Sequence, residues 1–227
     1  MRQLRPDLFA IRGWLGWTHL LVGDDGVTLV DTGFVRDFLR IQHAVDALGR
    51  KPTDVRAILI THGHLDHTSN AARLRDWSDA KVYAPTGDEL HIRGRYPYRG
   101  ITRVCGGLER IGRWPINYTP PTVNTWLRDG EELPFWGGLR VIGLPGHTDG
   151  HIGFYSPSKR VLLAGDAFAM SFCIALPPAI FTTNPHYARE SFKKLATYDA
   201  DLIIPTHYFT VNEHTAACIR AKARKLL

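Results

Sequence analysis

A chain of 227 residues with 44% hydrophobic content is long enough for one substantial core and short for two. It carries no run of eighteen apolar residues to span a bilayer, and residues 1–7 lead into 8–11 without a signal-type apolar core, so a cytoplasmic protein with no membrane partner is expected. Cys105, Cys173 and Cys218 are odd in number and widely spaced, which argues against a disulfide framework or a cysteine metal knot; all three are expected as small buried hydrophobes.

In chain order, strand-like runs at 8–11, 18–22 and 27–31 read as a meander whose second turn is Gly23-Asp-Asp-Gly26. The first turn holds Trp14 and Trp17. Phe34, Phe38, Ile41, Val45 and Leu48, spaced by four and three, predict a helix with its stripe in the core. A strand at 55–60, a helix at 68–76, a strand at 81–84 and a short helix at 86–92 complete a first half. A second half is expected from about Thr125, with strands 139–144, 152–156 and 160–165, helix 187–198, strand 201–205 and helix 211–226. No repeat or linker divides the halves, so one domain is expected over 1–227, interrupted by an insertion at about 93–124.

Between strand 55–60 and helix 68–76 stands His62-Gly-His64-Leu-Asp66-His67. Imidazole nitrogens and a carboxylate are donors that zinc prefers. In extended chain, positions i and i+2 point the same way, so His62 and His64 can grip one ion, while the turn into the helix redirects Asp66 and His67 toward a second. Further along, three short apolar strands each deliver one donor: His147, Asp166 and His207. The expected sets are His62, His64 and His147 around one ion, and Asp66, His67 and His207 around the other, with Asp166 bridging.

These motifs, together with Leu29-Val-Asp31-Thr-Gly33, Gly146-His147-Thr-Asp-Gly-His151 and Pro205-Thr-His207, resemble the metallo-β-lactamase fold superfamily over nearly the whole chain. The resemblance implies an α/β four-layer αββα sandwich, two mixed sheets flanked by helices. It also implies that Asp31 orients a ligand histidine. His151, four residues beyond His147, is either a support behind the ligands or a plain turn or strand residue. The loop of Trp14 and Trp17 would overhang the metals and contact substrate. True β-lactamases of the superfamily carry Cys, Ser or no carboxylate where this chain has Asp166, so the pattern looks like the glyoxalase II, lactonase and ribonuclease Z side. Flavodiiron members have Glu where this chain has His64, which favours zinc over iron, with iron and manganese still open. Lactonases often place Tyr three residues after the bridging Asp; Ala169 stands there, and Tyr208 is the alternative substrate contact. Glyoxalase II's glutathione-binding C-terminal domain has no counterpart in the residues after His207.

The expectation is therefore a hydrolase with two Zn²⁺ per chain, using a metal-bridging hydroxide on an ester, thioester or lactone of a small molecule, with Asp66 as the catalytic proton carrier. The alternatives are a zinc phosphodiesterase or nuclease, minor β-lactam hydrolysis, and a non-hydrolytic di-iron redox or oxygen-binding protein. The insertion bears on them: residues 93–114 hold six arginines and one acid, against a formal charge of +6 for the whole chain. Those arginines could snorkel over aromatic rings, receive an anionic substrate at Arg95, Arg99 and Arg103, or neutralise nucleic acid, the last being least favoured. Residues 167–181 carry no charge and suit a buried wall, a subunit contact in a homo-oligomer, or an apolar acyl chain.

Overall fold

The computed structural model describes residues 1–95, 98–170, 173–208 and 214–225. The strands are β1 (Arg2–Arg5), β2 (Leu8–Arg12), β3 (Trp17–Gly23), β4 (Gly26–Val30), β5 (Val55–Leu59), β6 (Lys81–Pro85), β7 (Thr125–Leu127), β8 (Glu132–Leu133), β9 (Leu139–Gly143), β10 (Ile152–Ser156), β11 (Val161–Gly165), β12 (Ala169–Met170), β13 (Ile174–Ala175) and β14 (Leu202–Pro205). The helices are α1 (Asp37–Ala47), α2 (Leu65–Thr68), α3 (Ala71–Ser78), α4 (Glu89–Ile92), α5 (Arg103–Ile116), α6 (Pro185–Leu195) and α7 (His214–Arg224). One sheet runs β1 to β7 in sequence order, the other β14-β11-β10-β9-β8, and β12 and β13 form a separate ribbon.

Strand alternation builds the layers. Leu8 and Ala10 of β2 face inward against Phe154, Leu163 and Ile204 of the other sheet, whereas Phe9 and Ile11 point outward to Ile41 and Val45 of α1. In β11, Val161 and Leu163 face the first sheet, while Leu162 and Ala164 pack with Phe192 of α6 and Ile219 of α7. The result is the αββα sandwich. The strands β4 to β7 pair in parallel, as do β11 and β14, so the carboxyl ends of β4, β5, β11 and β14 carry the loops of Asp31, His62 to His67, Asp166 and His207. Side chains delivered there can converge.

Several local expectations are corrected. β7 pairs with β6, so Thr125 belongs to the first sheet and the second begins at β8. The helix expected at 68–76 is split into α2 and α3 around Ser69 and Asn70, and Asn70 donates its side-chain amide to the carbonyls of Thr32 (2.8 Å) and Phe34 (2.9 Å). Of the cysteines only Cys105 is buried; Cys173 and Cys218 are exposed, because a lone thiol has no period that tells which face it takes. Residues 211–213 and 226 of the last expected helix lie outside the described residues. The insertion contains α5.

Candidate metal centre

The predicted donors converge at one end of the sandwich. His62, His64 and His147 bring one ligand atom each within 4.8 Å of one another, as do Asp66, His67 and His207, and likewise His62, His67 and Asp166. Asp166 lies between the two expected sets: its Oδ2 is 3.5 Å from His147 Nε2 and 3.1 Å from His207 Nε2, and its Oδ1 is 3.6 Å from His67 Nε2. Asp66 Oδ2 is 3.4 Å from His207 Nε2. The structure thus brings all seven predicted donors together.

The donors fit a cation. His62 Nε2, His67 Nε2 and Asp166 Oδ1 are buried and have no hydrogen-bond partner, a cost of about 1–3 kcal/mol per group that a metal ion would offset. Burial and then the neighbouring histidines push the pKa of His62 and His147 well below the ordinary imidazole value, leaving each ring neutral with one nitrogen free of a proton. Burial acts the other way on Asp66 and Asp166, yet the cations of His67 and His207 hold both carboxyls below their usual range. A positive charge here would be welcome.

Three of the five ligand rings, His62, His67 and His207, are turned by a partner on the far nitrogen. Asp31 Oδ2 meets His67 Nδ1 at 2.8 Å, and its Oδ1 accepts from the Thr61 amide at 2.8 Å. Thr61 Oγ1 lies 3.1 Å from His62 Nδ1, and His207 Nδ1 lies 3.0 Å from the carbonyl oxygen of Leu15. His151 Nε2 accepts from the backbone amide of Asp166 at 2.9 Å, so it holds the bridging residue by its main chain. Asp31 sits at φ 59°, a left-handed conformation that Asp tolerates better than most residues.

Sequence reasoning missed Asp88. Its carboxylate is fully buried and accepts from the Gly63 amide (2.8 Å), the Gly150 amide (2.7 Å) and Thr148 Oγ1 (2.6 Å), tying the loop of His62 and His64 to that of His147 and His151. In the chain it is one acid in Thr86-Gly-Asp-Glu89, which reads as a turn. The seam leaves no room for a methyl group: a Cβ on Gly150 would lie 2.3 Å from the Asp88 nitrogen and 2.4 Å from the Gly87 carbonyl carbon. Gly150→Ala should therefore cost about 1–3 kcal/mol, seen as a loss of roughly 2–12 °C in Tm by calorimetry; an unchanged Tm would show that the two loops can separate.

A cavity of about 460 Å³ opens over the donors, floored by His64, Asp66, His147, Asp166 and His207. Its walls are mostly apolar, among them Leu15, Phe34, Leu65, Leu108, Phe168 and Phe181, with Glu109 the one acid outside the donor floor. Phe168, Ala169, Pro177, Pro178 and Phe181 supply one wall and α5 another. Two expected substrate contacts are placed elsewhere: Trp17 and Tyr208 are buried and stacked with centroids 4.9 Å apart, and the Trp17 indole donates to the Tyr208 carbonyl at 2.8 Å. They belong to the inter-sheet core because β3 begins at Trp17 and turns its ring inward. Trp14 is exposed and stacks on Phe34 at 5.7 Å, at the edge of the cavity without lining it. Arg95, Arg99 and Arg103 are exposed and none borders the cavity. Arg113 lies over the Tyr118 ring at 4.2 Å and Arg93 over Trp126 at 5.8 Å.

Below α5 lies a buried polar cluster. Glu109 Oε1 accepts from the Leu65 amide at 2.8 Å and its Oε2 from the Tyr98 hydroxyl at 2.7 Å, anchoring the insertion to the metal-binding loop. Burial pushes the Glu109 carboxyl up to about 7 against those hydrogen bonds.

The fold and site define a class, and the chain belongs to it: the metallo-beta-lactamase superfamily, whose family model matches residues 11–207. The probable metallo-hydrolase YflN of Bacillus subtilis is 29% identical over 171 residues, 67% of this chain and 64% of that protein. The probable metallo-hydrolase YybB of the same organism is 34% identical over 154 residues, 68% of this chain and 62% of that one. A hydroxyacylglutathione hydrolase of Vibrio parahaemolyticus is 28% identical over 178 residues, 78% and 55% of the two chains. This chain therefore spans less than two thirds of the length of each of these relatives. Among solved structures, a metallo-beta-lactamase family protein from Thermus thermophilus superposes with a TM-score of 0.76 at 27% identity, covering 98% of this chain and 78% of that one.

Proposed function

We propose that the chain is a hydrolase holding two zinc ions and cleaving an ester, thioester or lactone bond in a small molecule with an apolar portion. The observation that carries this reading is the position of Asp166 between two three-residue donor sets at the floor of an apolar cavity. Zinc bound there would supply a water of lowered pKa and an electrophile for the carbonyl oxygen.

The chain's own residues supply the rest. The walls of Leu15, Phe34, Phe168 and Phe181 exclude water and bury the apolar portion, which orients the scissile carbonyl toward the floor. Asp66 is the donor-set carboxylate that borders the cavity while keeping part of its side chain exposed, so Oδ2 can take a proton inside the cavity and pass it to the departing oxygen or sulfur. His207, fixed through Nδ1 by the Leu15 carbonyl, holds Asp66 in that place. The arginines lie off the cavity, so apolar burial is favoured over capture of an anionic group, and over a nuclease reading that would need them at the mouth.

A hydrolysis panel on zinc-replete protein tests this. Esters, thioesters and lactones with apolar acyl groups are expected to give higher kcat/KM than cephalosporins or bis-phosphodiesters, with activity lost to a chelator and restored by zinc. Turnover of the phosphodiester alone would replace this reading with the nuclease one. A coloured, iron-loaded protein that cleaves none of them would favour the redox alternative.

A further inference from the structure

The insertion helix α5 has two faces that the metal site does not explain. Cys105 and Glu109 are buried toward the metal-binding loop. Beside that buried face, Val104, Leu108 and Ile111 are 53, 54 and 73% exposed and fall within an arc of roughly 60° at about 100° per residue. Ile101, in the turn before the helix, is also more than half exposed, and Trp114 is 87% exposed. Beside that stripe, on the flank away from the cavity, Arg103, Arg110 and Trp114 share a second arc. Arg95 and Arg99 stand exposed in the approach to the helix. Among the described residues no carboxylate pairs with Arg95, Arg99, Arg103 or Arg110, and the one acid of the segment, Glu109, is buried beneath them.

We propose that this face of α5 docks on an anionic lipid surface, with Val104, Ile111 and Trp114 entering the headgroup boundary and Arg95, Arg99, Arg103 and Arg110 meeting lipid phosphates. Charge and the amphipathic pattern choose this occupant. An amphipathic helix with arginines beside an apolar stripe and an aromatic ring at its edge is the pattern of a segment lying in a bilayer interface. Charge complementarity is supplied by four unpaired guanidiniums, each expected to strengthen binding to an anionic surface by about five-fold. A second copy of the chain would set Arg103 and Arg110 against their own equivalents across a two-fold contact, which like charge opposes. That no helix of the described residues is long and apolar enough to cross a membrane concerns spanning, and the face proposed here lies on the surface.

The stripe leads to the cavity. Leu108 belongs to both, and Leu15, also more than half exposed, lines the same cavity. Docking α5 therefore brings the mouth to the lipid surface, where an amphiphilic ester or thioester could enter tail first; this consequence rests on the hydrolase reading, and the docking itself does not.

Sedimentation of the zinc-replete chain with vesicles tests it. Binding to mixed phosphatidylglycerol and phosphatidylcholine should exceed binding to phosphatidylcholine alone by at least about ten-fold, with a blue shift in tryptophan emission that Trp114→Phe removes. Val104→Glu with Ile111→Glu should reduce partition by more than about ten-fold, Arg103→Ser and Arg110→Ser by roughly five-fold each, and added salt should weaken the wild type. These side chains are exposed and do not border the cavity, so folding and turnover of a soluble short-chain ester should be unchanged. Vesicle binding that survives the double glutamate variant overturns the proposal. So does absence of binding to the mixed vesicles, or a concentration-dependent dimer that Ile111→Glu dissolves. Vesicle binding without ester turnover would sustain the docking and sink the hydrolase reading; turnover without binding would do the reverse.

Discussion

Replacing Asp66 by Asn is expected to lower kcat by about 10²–10⁴-fold, the range lost when a positioned proton carrier is removed. The amide keeps an oxygen toward His67 and His207 but cannot take a proton, so chemistry should suffer more than binding. His62, His64 and His147 are untouched, and at least their share of the zinc should remain. Asp166→Ala provides the contrast: Oδ1 and Oδ2 face His67, His147 and His207 at once, so its loss should empty at least one metal position as well as depress kcat. Elemental analysis beside steady-state kinetics separates the two variants. An Asp66→Asn protein with two zinc ions and near-normal kcat would remove Asp66 from the chemistry, and a wild type that takes up one ion or none in added zinc would end the two-metal reading.

Asp88→Ala should be among the most destabilising single changes in the chain. Removing the carboxylate leaves the amides of Gly63 and Gly150 and the hydroxyl of Thr148 without their buried acceptor. At about 1–3 kcal/mol for each unsatisfied group, the loss is on the order of 3 kcal/mol or more, or roughly 6–12 °C in Tm. Because the two loops it joins carry His62, His64 and His147, zinc affinity should fall with it, although Asp88 lies outside all the donor groups. Calorimetry and a competition titration with a chromophoric chelator measure both. A variant with wild-type Tm and affinity would mean that the loops are held by their own backbone and not by this carboxylate.

The legible part of the site was local. His62, His64, Asp66 and His67 declare themselves because a strand end and a helix start place successive donors on predictable sides, and His147, Asp166 and His207 each follow an apolar strand whose end is visible as a change in hydropathy. Asp31 was legible only through its motif, since nothing about a lone Asp before Thr-Gly tells that its carboxylate reaches His67.

What the sequence by itself determined is therefore the set of donors, the alternating strands, the helix stripes and the charge of the insertion, all written in periods of a few residues. Only the tertiary structure decided which side of the sandwich each element serves. It sent Trp17 and Tyr208 into the core, turned the arginines of α5 away from the cavity, handed β7 to the first sheet and gave Asp88 its three donors. The physical reason is distance along the chain. Side-chain periodicity fixes which way a residue points relative to its own element, but the partner it meets, such as Gly150 for Asp88 or Leu15 for His207, is chosen by the packing of sheets that join residues tens to nearly two hundred positions apart.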